Sequence, residues 1–292
     1  MRSFDNKKQL KFVITLGTGD FDSKGDNQII LQGFRASADI SLAGGIQMGE
    51  LRAKIYGVKL SDMNAITTFT NKVGAINYTT IIVYAIDGLV ESIVFGGNIN
   101  VAFGNFQGMP DVYLEIQAQA AFLDVMKAVP PRSYQGDVDV ASVMQEIAAS
   151  MGKTLENTDV NMKLSNIYLC DTGMRQFQDL AQMADVDYVV EERVIAVMRR
   201  GTPRNGIVPL ISAATGLVGY PVPNGVAVNA RCLYNPAIRP LAMVKIETDV
   251  IRAAGYWKVN SMSHQLETEK PNGAWFTSFQ CTTVDGYVAP TR

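Results

Sequence analysis

The chain has 292 residues, 47% hydrophobic and 18% charged, and 26 Lys+Arg against 28 Asp+Glu leave a formal net charge of −2. This composition fits folded globular domains, two or three by length, and argues against long disordered tails. Near-neutral charge removes any global pull toward nucleic acid or an anionic membrane, so the expected partners are proteins.

The start, "MRSFDNKKQLKF", enters a strand-like run without the apolar stretch of a secretory signal, and a reducing cytoplasm is the expected site of synthesis. Cys170, Cys232 and Cys281 lie far apart with no C-x-x-C spacing, which removes zinc-ribbon and thioredoxin readings, and an odd count argues against a disulfide framework. Asp87 and Glu91 interrupt the most apolar stretch, "TTIIVYAIDGLVESIVFGG", well short of the roughly 18 to 20 residues of a membrane span.

The first third reads as β. Leu10 to Gly17, Asn27 to Gly45 and Gly49 to Val58 alternate or run apolar between Gly-rich turns. A short helix is predicted in "LSDMNAITTFTNK", with Ser61 or Asp62 as N-cap and Met63, Ile66 and Phe69 on one face. The β-pattern resumes in "TTIIVYAI", "LVESIVFGGNINVAF" and "DVYLEIQAQAAF". Pro130 and Pro131 then make a seam.

Beyond it the texture is α/β. Val140, Val143, Ile147 and Met151 stand at helical spacing before Gly152, and Met174, Phe177, Leu180 and Ala181 form the buried stripe of a second helix. "VDYVVEERVIAVMRR" reads as a hairpin turning near Glu191 and Glu192, and "GTPRNG" makes a second seam. β-patterns return in "GVAVNARCLYNP", "AMVKIETDVIRAAG", "YWKVNSMSHQLE" and "AWFTSFQCTTV". The expected architecture is a β-rich α+β chain with a β-unit at 1–129, a small α/β unit at 130–203 and a second β-unit at 204–292. Each β-unit ends in a long hairpin with a polar turn. Val112, Leu114 and Ile116 stand where Trp275, Thr277 and Phe279 stand in the second, a pattern compatible with internal duplication.

No motif carries an enzyme reading. His264, the only histidine, lies at the end of an alternating strand in which Trp257, Val259, Ser261 and Ser263 are expected on one face and Tyr256, Lys258, Asn260, Met262 and His264 on the other. It serves no recognisable nucleophile motif, and packing or hydrogen bonding across the hairpin is the expectation. The rivals are a β-rich hydrolase or carbohydrate-active protein using His264 with Glu267 or Glu269, and a monomeric ligand-binding double barrel. Asp20, Asp22 and Asp26 lack the ordered spacing and closing Glu of a calcium loop and read as a polar hairpin loop. Gly17 and Gly19 lack the rest of a phosphate loop, adjacent Glu191 and Glu192 make a poor acid/base pair, and for the basic "MRRGTPR" a solvated linker face explains the charges as well as a phosphate site would. No catalytic residue, cofactor or metal is expected.

The order of parts resembles the tail hub proteins of contractile-tailed bacteriophages, the late control protein D-like family, related also to hubs of tail-like bacteriocins and injection machines. Tyr256, Val259, His264, Trp275 and Thr277 carry the match in the last hairpin, and Gly219, Pro221, Asn235 and Pro236 carry it upstream. The middle stretches "YQGDVDVASVMQEIAASMGKTL" and "CDTGMRQFQDLAQMADVDYVV" are similar to the module between the two hub barrels, and "AKIYGVKLSDMN" and "GMPDVYLEIQA", with Pro110, resemble the first barrel.

The resemblance implies two tail-tube-like β-barrels with a small α/β domain between them. It also implies a homotrimeric pseudo-sixfold ring that joins the tail tube to the central spike, touches other baseplate proteins and lets DNA pass without specific binding. Such a protein is made in the host cytoplasm, resides in the virion tail baseplate and does not insert stably in a membrane. Tyr256, Trp257, His264, Trp275, Pro221, Pro236 and Pro110 are then structural or assembly residues. Nothing resembles a lysozyme insertion or a spike β-helix, so wall cleavage and piercing would belong to other proteins.

Overall fold

The structure, a computed structural model, describes residues 7–21, 25–68 and 78–284. In the first unit, strands β1 (Lys8–Thr15), β2 (Gln28–Gln32), β3 (Ala36–Ala43) and β4 (Glu50–Tyr56) precede helix α1 (Leu60–Ile66). Strands β5 (Thr80–Asp87), β6 (Val90–Asn105) and β7 (Tyr113–Gln119) and a short helix α2 (Phe122–Met126) complete it. Period-two alternation sets the faces: β4 buries Leu51, Ala53 and Ile55 and exposes Glu50, Arg52 and Lys54.

Three expectations need correction here. The run from Asn27 to Gly45 is two strands, broken at Gly33, whose φ of +79° suits glycine. Helix α1 starts at Leu60 with Lys59 in the cap position and no side-chain cap; Met63 and Ile66 are buried as expected, while Phe69 lies outside the described residues. The strand pattern of "DVYLEIQAQAAF" stops at Gln119, and Ala121, at φ +54°, turns the chain into α2.

The middle unit follows its helical signals closely. It runs β8 (Arg132–Asp139), α3 (Val140–Ser150), β9 (Thr154–Thr158), β10 (Lys163–Leu169), α4 (Gly173–Met183), β11 (Val186–Val190) and β12 (Val194–Arg199). Asp139 caps α3 by accepting from the Ser142 amide at 2.9 Å, and Thr172 caps α4 through the Arg175 amide at 3.2 Å. The stripes Val140, Val143, Ile147 and Met174, Phe177, Leu180 meet in one core. The hairpin β11–β12 turns at 191–193, and β9 runs parallel to β12.

The second β-unit holds β13 (Leu210–Ile211), β14 (Val222–Asn224), β15 (Ala227–Leu233), β16 (Met243–Ile246), β17 (Gly255–Thr268) and β18 (Trp275–Thr282). Among the described residues both β-units belong to one 13-stranded sheet with the main path β14-β15-β18-β17-β3-β4-β7-β6-β5-β1-β2. The seam between the units is an antiparallel ladder from Ser261↔Ala43 to Thr268↔Ala36. No strand pairing closes either unit on itself among the described residues. Instead Thr268 Oγ1 donates to the Lys8 carbonyl at 3.0 Å, and Tyr234, Leu266 and Trp275 reach into the core of the first unit.

Four strands of each unit repeat one register. β3-β4-β7-β6 and β14-β15-β18-β17 have the same order, and β4–β7 and β15–β18 pair over matching spans, Glu50↔Gln119 to Tyr56↔Tyr113 and Ala227↔Thr282 to Leu233↔Phe276. Both hairpins carry a bulge at an asparagine: the ladder slips between Ile99 and Val101 in β6 and between Val259 and Ser261 in β17. Matching the bulges places Leu114 on Thr277 and Ile116 on Phe279, the equivalence read from the hydrophobic pattern. It also places Lys54 over Tyr113 (5.2 Å to the ring centroid) on Arg231 over Phe276 (4.2 Å).

Candidate functional site

The bulge at Asn260 decides where the last hairpin points its side chains. Strict alternation would put Trp257 and His264 on opposite faces; the extra residue resets the phase, so that Trp257, Val259 and Met262 share one core and His264 and Leu266 continue on that face. His264 is 4% exposed, with Nδ1 3.0 Å from Thr277 Oγ1 across the hairpin. Its ring meets Tyr234 edge-on at 5.2 Å, Tyr234 meets Trp275 at 5.8 Å, and the Tyr234 hydroxyl lies 2.8 Å from Ser92 Oγ of the first unit. Burial pushes the imidazole pKa down to about 4, so the ring is neutral at neutral pH. The carboxylates of the hydrolase rival are engaged elsewhere: Glu267 accepts from Lys270 at 2.6 Å and from the Ala274 amide at 2.9 Å, and Glu269 pairs with Lys7 at 2.7 Å.

Beside this aromatic cluster lies a cavity of about 280 Å³ at which all three units converge. Phe95 and Gly96 of β6, the 190–194 turn of the middle unit and Tyr234, Pro236, Ile238, Arg239 and His264 of the second unit line it. Its charged wall continues into an ion network. Arg204, with a side chain of zero exposure, forks onto Glu156 (2.8 and 2.6 Å) and onto Glu191 (2.7 and 3.2 Å), and Arg239 donates to Glu191 at 2.6 Å. The Arg204 amide donates to the Leu241 carbonyl at 2.7 Å, so one residue ties the middle unit to the second β-unit.

The hydrogen bond from Arg204 holds the Glu156 carboxyl below its ordinary range. For Glu191 burial works the other way, yet the bonds from Arg204 and Arg239 outweigh it and its pKa is also lowered. Burial likewise disfavours the Arg204 charge, and the two glutamates more than compensate. Arg204 is therefore no solvated linker residue, contrary to the linker reading of "MRRGTPR", and the half-buried Glu191 carboxylate is held by two arginines. No local signal marks this network, because its four members come from a strand, a turn, a seam and a loop at separate places in the sequence.

The residues singled out in the sequence are dispersed. Trp257 donates from Nε1 to the Ala253 carbonyl at 3.0 Å in the second core, whereas Trp275 is buried toward the first core with His264. Tyr256 stacks under Lys245 at 5.9 Å, and Pro221 is buried just before β14. Pro236 is exposed at the cavity, and Pro110, after a cis peptide bond, is exposed in the β6–β7 turn. Tyr234, Ser92, Glu156 and Arg204 were not anticipated. The hairpin loop between β1 and β2 carries Asp20 and Asp26, while Asp22 lies outside the described residues. Among the described residues no group of three His, Cys, Asp or Glu is placed to hold a metal ion, and no helix is long and apolar enough to cross a membrane.

Comparison with solved structures matches this fold at very low sequence identity. A tail protein from Neisseria meningitidis MC58 superposes with a TM-score of 0.63 at 10% identity, over 94% of this chain and 96% of that one. The 43 kDa tail protein of prophage MuSo2 from Shewanella oneidensis gives 0.60 at 10% identity over 94% and 97%. The E. coli c3393 protein, a type VI secretion component described as similar to the T4 tail proteins gp27 and gp5, gives 0.57 at 7% identity over 88% and 76%. No curated protein matches the sequence. At such identities the structural likeness shows the fold alone, but a family model described as baseplate hub gp41 matches residues 9–270. The chain belongs to the baseplate hub gp41 family of phage tail proteins.

Proposed function

We propose that three copies of this hub chain form a pseudo-sixfold ring that joins the tail tube to the central spike, contacts other baseplate proteins and leaves a channel for DNA. The observation that carries the reading is the repeated four-strand unit. A subunit with two matching β-units can present six similar positions from three chains, which a junction between sixfold and threefold parts requires. On this reading residues 1–129 and 204–292 act as two tube-like barrel modules that close only in the assembly, and residues 130–203 form the domain between them. Among the described residues, three of the four hydrophobic cores fall mainly one to a unit, which supports that division, while the fourth joins Val189, Ala196 and Met198 to Leu241.

His264, Trp275, Trp257 and Tyr256, with Pro221, Pro236 and Pro110, then shape the hairpins and turns for assembly and take no part in turnover. The solvent face of the eight-strand run from β14 to β6 is the channel face. It mixes small polar residues such as Ser41, Ser263 and Ser278 with opposed charges, Asp39, Glu50, Glu115 and Glu267 against Arg52, Lys54 and Arg231. Such a balance gives a polyanion little to hold, so DNA crosses without specific binding. The protein would be made in the host cytoplasm, without stable membrane insertion.

Sedimentation of the purified protein, alone at high concentration and with its spike partner, tests the ring. A particle of three subunits in either condition is the expected result; a single-subunit mass in both would reject it and favour a monomeric ligand-binding protein.

A further inference from the structure

Resting on that ring reading, we propose where one copy meets the next: the edge of β6 around Val101 to Phe106 packs head to tail against the β14 edge, Tyr220 to Asn224, of a neighbouring copy. The internal seam supplies the template. Within one chain, the second half of β17 pairs with β3, with Ser263 opposite Ser41, His264 opposite Ile40 and Gln265 opposite Asp39. Matching the two bulges puts Val101, Phe103 and Asn105 of β6 on Ser261, Ser263 and Gln265 of β17. Matching the β3–β4 and β14–β15 registers puts Val222, Pro223 and Asn224 on Asp39, Ile40 and Ser41. Repeating the internal contact between copies therefore sets Phe103 opposite Asn224 and Asn105 opposite Val222, with Phe103 and Val222 diagonal neighbours on one face.

The side chains at the two outer edges fit this assignment. Where the internal seam carries Ser261, Ser263, Ser37 and Asp39, the outer edges carry Val101, Phe103, Tyr220 and Val222, which are 40%, 38%, 69% and 60% exposed. Polar residues at the sealed seam and apolar ones at both outer edges are the arrangement expected if the outer edges pack against another copy in the assembly.

The backbone shows why side chains must carry the contact. The Thr68 amide already donates to the Ala102 carbonyl at 2.9 Å, and the Ala102 amide donates to Thr68 Oγ1 at 2.8 Å. Pro221 and Pro223 lack the N–H donors that a full ladder on β14 would use. The inter-copy contact is thus a packed edge, whereas the internal seam is a hydrogen-bonded ladder. Because the two surfaces differ, the contact is heterologous, and repetition gives a ring if the rotation closes.

Complementation tests it. Phe103→Asp and Val222→Asp each spoil one edge and spare the other, so each variant alone, with or without the spike protein, should sediment as a monomer where the unmodified chain is trimeric. An equimolar mixture should give a dimer of one variant with the other and nothing larger. Circular dichroism checks folding, and Val101→Asp with Tyr220→Asp is the replacement pair if either variant misfolds. Trimers that persist in both variants, or variants that stay monomeric when mixed, would overturn the contact while leaving the ring intact. A monomeric unmodified chain in all conditions would instead refute the ring reading, and this contact with it.

Discussion

His264 offers the sharpest energetic test because it is the only histidine in the chain. Its folded pKa of about 4 lies below the roughly 6.5 of an unfolded histidine, so between these values the unfolded state binds more protons and stability rises with pH. From a folded value of about 4, lowering the pH from about 8 to about 5 removes about 2 kcal/mol through this ring alone, and the loss levels off below the folded value. The perturbation is His264→Asn, which keeps a polar atom near Nδ1 for Thr277 but deletes the titration. Urea unfolding followed by tryptophan fluorescence, with Trp257 and Trp275 both buried, should show the unmodified protein losing about 2 kcal/mol more than the variant over that pH range. Proton NMR of the single imidazole reads the pKa directly. An apparent pKa of 6 or above, or equal pH slopes for the two proteins, would refute the claim that this residue is a dry, neutral element of the hairpin.

Truncating Arg204→Met should cost about 3 to 5 kcal/mol by leaving Glu156 and Glu191 without their shared partner, measurable as a shifted urea midpoint; a change below about 1 kcal/mol would mean the network is solvated. Both glutamates have lowered pKa values, so the stabilisation they provide is present above about pH 4.3 and fades as pH falls through their folded values, a dependence that Arg204→Met should weaken, with Arg239 retaining part of it. Gly97→Ala should destabilise by about 2 kcal/mol or more, because the new Cβ would lie 2.5 Å from the Gln119 carbonyl oxygen, while Gly108→Ala, with nothing nearer than 3.7 Å, should stay within about 0.5 kcal/mol in thermal unfolding. Fluorescence anisotropy with duplex DNA at about 0.1 M salt should detect no saturable binding, and a steep salt-dependent affinity would contradict the balanced channel face.

Much of this fold can be read locally. Alternation in β4 and β1, the caps Asp139 and Thr172 and the stripes of α3 and α4 are short-range patterns, and they mark where elements lie and which faces are buried. The equivalence of Leu114 and Ile116 with Thr277 and Phe279 was visible for the same reason, since both hairpins repeat their hydrophobic phase. Long-range choices left no such trace. Nothing near Ser261 or Ala43 announces that β17 will pair with β3, and the bulge at Asn260 reverses the face of His264 without changing any hydrophobic residue. The three-residue β14, with its proline, is too short for a strand pattern. The junction is legible only in part: His264 and Trp275 stand out by rarity, but Arg204 sits in a Gly- and Pro-containing seam that reads as solvated linker. Its burial depends on partners 48 and 13 residues away.

Electron-microscopy averages computed without imposed symmetry, from the hub bound to its spike protein, test the account most directly. Rings of threefold symmetry with six similar lobes around an open channel are the predicted result. Particles with one two-lobed subunit per spike, or rings without a sixfold repeat of lobes, would contradict it.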